Sequence, residues 1–72
     1  MINYFENLIK DFIKNHNDNL KLEFKISTFR LSFIKFEDFK KVTNKYDVNI
    51  TRYDVVLDTN SYNNIIIIEV TK

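Results

Sequence analysis

The sequence predicts an α+β fold of order αββαββ: a four-stranded, mostly antiparallel sheet with two helices packed on one face. Three observations carry this expectation. Apolar residues recur at helical spacing in two stretches, they alternate at strand spacing in others, and turn-forming residues separate the two kinds of pattern. At 72 residues, of which 44% are hydrophobic and 15% aromatic, the chain reads as one small globular domain, residues 1–72.

The first helix is predicted over residues 2–16. Ile2, Phe5, Leu8, Ile9, Phe12 and Ile13 fall on one helical face, and Asn3, Glu6, Asn7, Lys10, Asp11 and Lys14 lie elsewhere. Asn3 with Glu6 three residues on has the form of a capping box, and the Asn-rich stretch 15–19 suits a helix end. Residues 20–26, LKLEFKI, then alternate strictly, with Leu20, Leu22, Phe24 and Ile26 on one side and Lys21, Glu23 and Lys25 on the other. The parity flips at Phe29, Leu31 and Phe33, which reads as a hairpin turning at Ser27 and Thr28.

A shorter second helix is expected over 36–46, where Phe36, Phe39, Val42, Thr43 and Tyr46 form a stripe. Glu37 and Asp38 at its start and Lys45 at its end suit the helix dipole. Alternation resumes at Val48 and Ile50 and shifts to Tyr53, Val55 and Leu57, which calls for a bulge near Thr51 and Arg52. Asp58 to Ser61 is a turn signal, and residues 62–70 are the last strand. That strand contains Ile65, Ile66, Ile67 and Ile68 in a row, so it needs apolar cover on both faces.

Composition excludes several chemistries. Without glycine the chain cannot build a phosphate-cradling loop or a dinucleotide fingerprint, and without cysteine it has neither a disulfide nor a thiol nucleophile. His16 is the single histidine, so neither a zinc site nor a Ser-His pair with Ser27, Ser32 or Ser61 has a recognisable framework. The expectation is a protein that is not an enzyme and binds no cofactor or metal. The longest apolar run is too short to cross a bilayer, and the first residues lack the pattern of a signal peptide, so no membrane association is expected.

Eleven Lys and Arg against ten Asp and Glu leave a net charge of +1, which supplies no global attraction to nucleic acid. Local clustering is the alternative: Lys21, Lys25, Arg30 and Arg52 are expected on the outer sheet face, where basic side chains could hold a nucleic acid. The aromatics Phe24, Phe29 and Phe33 share the parity of the core instead, which speaks against stacking on bases.

Protein binding is the preferred expectation. An apolar outer surface comprising Ile34, Val56, Ile66 and Ile68 would mark an interaction site. Such a chain is expected to form a homodimer, through the outer face or an edge strand, and to bind a protein target. Ile, Asn, Lys and Phe supply half of its residues, a bias of AT-rich coding DNA. Together with its size, this fits a small regulator or inhibitor encoded by a virus or mobile element, of anti-defence type. It would act in the cytoplasm, the host's if viral.

Overall fold

A computed structural model describes residues 1–72 and contains three helices and three strands. Helix α1, Ile2–Lys14, buries Phe5, Ile9 and Phe12 on its apolar stripe, with Ile2, Leu8 and Ile13 packed beside them. Its N-cap is Met1, with no side-chain cap, so Asn3 and Glu6 do not form the expected capping box. Glu6 reaches across to a neighbouring helix instead. At the other end His16 takes a left-handed conformation, φ 58°, where many proteins place glycine. Strand β1, Asn19–Ile26, follows with Phe24 and Ile26 buried and Lys21, Glu23 and Lys25 exposed, as strict alternation requires.

The expected hairpin after β1 does not form. Thr28–Leu31 is instead a one-turn helix, α2, which leaves three strands and three helices rather than four and two. Its cause lies in the side chains that bound it. Ser27 Oγ accepts the Arg30 N–H at 3.3 Å, and the Ser32 hydroxyl donates to the Phe29 carbonyl at 2.6 Å. Serine competes for backbone groups in this way at helix ends, and Ser-Thr lacks the positive φ of a two-residue hairpin turn. The apolar residues at 29, 31 and 33 imitate strand alternation, yet the residues that pack against the core are Leu31 and Ile34, one helical turn apart.

Helix α3, Phe36–Lys45, buries Phe39, Val42 and Thr43, with Glu37 and Asp38 in its first turn and Lys45 in its last. The buried Thr43 hydroxyl donates to the Lys40 carbonyl at 3.0 Å, which satisfies it within its own helix. Asp47, φ 56°, makes the left-handed exit into β2, Asn49–Asp58. Tyr62, φ 56°, precedes β3, Asn63–Thr71.

The sheet order is β1-β3-β2, with both pairings antiparallel, so the isoleucine-rich β3 is central. Leu22, Ile68 and Tyr53 lie side by side across the sheet, as do Phe24, Ile66 and Val55. The register between β2 and β3 shifts between Ile50 and Arg52, at the expected bulge. Thr51 is the extra residue, and its hydroxyl donates to the Glu69 carbonyl at 3.3 Å.

A single core joins Phe5, Ile9 and Phe12 of α1, Phe39 and Val42 of α3, and Phe24, Ile26, Ile66, Ile68 and Val70 of the sheet. The Phe5 and Phe39 rings meet edge to face at 5.0 Å, which fixes α1 against α3.

Glu6 ties the same two helices together at the surface. Its Oε2 accepts the Tyr46 hydroxyl at 2.7 Å and Lys45 Nζ at 3.1 Å. These contacts, the tyrosine first, hold the Glu6 carboxyl below its ordinary range, and the carboxylate raises Lys45 in return. A carboxyl lowered on folding stabilises the fold above its unfolded pKa, about 4.3. That contribution disappears as the pH falls through the lower folded value. Glu6→Gln should therefore flatten the loss of thermal stability on acidification below about pH 4.3. A melting-temperature profile as steep as that of the unsubstituted chain would contradict the assignment.

Candidate interaction surfaces

Side-chain parity in β3 decides which isoleucines are available. Ile66 and Ile68 are fully buried against the helices, so neither belongs to an interaction surface in the folded protein. Ile65 and Ile67 point the other way and are half-buried. Glu69 shows the reason: it needs water, and a period of two then sends 67 and 65 to its side of the sheet and 66, 68 and Val70 to the core. Val56, paired with Ile65, is on the outer face and 46% exposed. Ile34 is elsewhere, half-buried beside α2.

The outer face is consequently a short apolar strip, Val56, Ile65 and Ile67, bordered by charges. Lys21 lies 3.9 Å from Glu23, Lys25 reaches Asp58 at 4.0 Å, and Arg52 is held by Asp54 and lies 3.7 Å from Glu69. The Ser61 hydroxyl and the Asn60 N–H lower the Asp58 carboxyl and keep it anionic. Asp54 raises Arg52 further above its already high range. Of the four basic residues expected together, Lys21, Lys25 and Arg52 share this face, each beside a carboxylate. Arg30 is on α2, because that segment is helical rather than a strand of the sheet.

A second surface surrounds α2. Phe29 is 74% exposed and Phe33 69%, with their rings edge to face at 5.3 Å. Beside them Met1, Ile26, Arg30, Phe33 and Ile34 line a cavity of about 240 Å³. Both phenylalanines were expected inside. Phe29 is on α2 and Phe33 in the turn that follows it; the segment directs only Leu31 and Ile34 to the core, and the two rings, four residues apart, come together on the outside. Their spacing on either side of Arg30, after the serine cap, was the signal available in the sequence.

The third surface is the free edge of β2. Val55 is 45% and Leu57 61% exposed on the helix-facing side, beyond Tyr53, where the Phe36 ring at 5.0 Å and the Phe39 ring at 5.7 Å provide cover. Burial at that point pushes the Tyr53 hydroxyl up.

No three His, Cys, Asp or Glu side chains converge on one point, and His16 is exposed at its turn. No helix is long and apolar enough to cross a membrane. The fold and its surfaces define a small α+β protein with a three-stranded antiparallel sheet. Compared with protein-family models, curated proteins and solved structures, the chain matches none.

Proposed function

We propose that the protein is a non-enzymatic binding module that docks a protein target on the aromatic pair formed by Phe29 of α2 and Phe33 of the turn after it. The carrying observation is that Phe29 and Phe33 are the most exposed phenylalanines of the chain and sit on a segment that sends only Leu31 and Ile34 inward. Two rings this exposed add little to the core beyond their contact with each other, whereas aromatic side chains on rigid turns are strong contributors to protein interfaces. Arg30 between them adds a cation with a planar fork of donors. The target surface that fits is an apolar recess rimmed by carboxylates. A chain that occupies such a surface without chemistry of its own acts as a regulator or inhibitor, and an anti-defence role in a virus or mobile element is one setting for it.

Nucleic acid binding ranks second. Lys21, Lys25 and Arg52 would have to exchange their carboxylate neighbours for phosphates, and Arg30 stands apart from them. The outer face carries no aromatic ring on which a base could stack.

The test is a comparison between the natural chain and Phe29→Ser/Phe33→Ser as baits in extracts of the source cell. The double variant should melt within a few degrees of the natural chain, because neither ring is in the core. It should also lose the proteins that the natural chain retains in proportion to bait. Retention of the same proteins by a folded double variant would overturn the proposal.

A further inference from the structure

We infer that the free edge of β2 is a homodimer interface in one defined register, with a two-fold axis passing beside Val55. The inference goes beyond the binding-module reading: it assigns a second copy of the chain to a different surface and makes no use of Phe29 and Phe33.

The two sheet edges are not alike. β1 presents Lys21, Glu23 and Lys25 along its exposed side and carries no large exposed apolar residue, the usual guard against edge pairing. β2 has no lysine, and it exposes Val55, Val56 and Leu57 in succession. It is regular from Arg52 to Asp58, between the bulge at Thr51 and the turn that begins at Thr59. An exposed edge of this kind has unpaired backbone donors and acceptors and apolar residues on both faces, and it is a template for another strand.

Charge then selects both the partner and the register. Two antiparallel copies of an edge strand are related by an axis perpendicular to the sheet, so each pair of opposed residues occurs twice and shares a face. With the axis beside Val55, that residue opposes itself and Tyr53 opposes Leu57 of the second copy, forming an apolar ladder on the helix-facing side. On the outer face Arg52 opposes Asp58 of the second copy, and Asp54 opposes Val56. Opposite charges directly across a strand pair attract, and the attraction operates twice.

Neighbouring registers fail. An axis beside Val56 sets Asp54 against Asp58, and one beside Asp54 sets that carboxylate against itself. An axis beside Tyr53 or Leu57 leaves only residues 52–54 or 56–58 paired, because the bulge and the turn cut the ladder off. The Val55 register alone uses the full regular edge without opposing like charges. It joins two three-stranded sheets, each of order β1-β3-β2, into one continuous sheet with β2 against β2 at the centre.

Sedimentation equilibrium on the full chain tests this. The natural protein should be a concentration-dependent dimer. Val55→Lys and Val55→Asp, at a half-exposed position that should tolerate them, should each be folded by circular dichroism and monomeric, and an equimolar mixture should recover the dimer. Val56→Lys, which places an ammonium opposite Asp54 of the second copy, should tighten the dimer several-fold, whereas a dimer formed through the outer face would weaken. Phe29→Ser/Phe33→Ser should remain dimeric, which separates this inference from the target-binding proposal. A natural chain that is monomeric at its highest soluble concentration, a mixture that fails to pair, or a Val56→Lys dimer no tighter than the natural one would each overturn it.

Discussion

Phe39→Ala is expected to leave the chain without a cooperative unfolding transition at 25 °C. Phe39 is fully buried, meets Phe5 at 5.0 Å and Tyr53 at 5.7 Å, and so links α3 to both α1 and β2. Truncating a buried phenylalanine to alanine costs about 3–5 kcal/mol, because the cavity is only partly refilled. A single core in a domain of this size supplies about 3–5 kcal/mol in all, and no disulfide adds to it. The loss is therefore comparable to all that the core of one chain supplies. Phe36→Ala is the internal control: Phe36 touches the same Tyr53 ring at 5.0 Å but is 38% exposed, and its removal should lower the melting temperature without abolishing the transition. A Phe39→Ala protein that melts like the Phe36→Ala protein would show that the core is not organised around this residue.

The second large effect separates adjacent residues of β3. Ile66→Lys places an ammonium where no solvent reaches, between Phe24 and Val55 on the helix-covered side, and should unfold the protein. Ile65→Lys places the same group on the outer face between Lys25 and Val56, where its stem can lie along the sheet and its head stays in water. That variant should remain folded with a modest drop in melting temperature. Equal damage from the two, read by far-ultraviolet circular dichroism, would mean that the outer face is covered as closely as the inner one.

The parity of β3 could be read from its flanks although not from the run itself. Four isoleucines contain no polar residue to mark a face, but Glu69 and Val70 do, and counting back from them assigns Ile65 and Ile67 to the outside. The two long helices and β1 were legible because each alternates with its own period over many residues. α2 was not, since a single turn is too short to show helical periodicity and Phe29, Leu31 and the following Phe33 satisfy strand alternation equally well. Strand alternation over that segment points Phe29 and Phe33 to the core, whereas the helical turn and the turn after it leave them 74% and 69% exposed. Strand order was also beyond sequence, because β1 pairs only with a strand far along the chain.

The placement of β3 has a consequence for how the chain acquires its structure. β1 and β2 each hydrogen-bond to β3 and not to each other, yet β3 is the last of the three to be synthesised. Until residues 63–71 are available, β1 and β2 have no ladder to join and the faces of α1 and α3 have only part of their seat. Both strand pairings therefore wait on β3, a non-local closure of the kind that slows folding relative to a helical bundle of equal length. Before β3 arrives, the apolar residues of the β2 segment lack the strand that pairs with them, which leaves a nascent chain open to pairing with another copy.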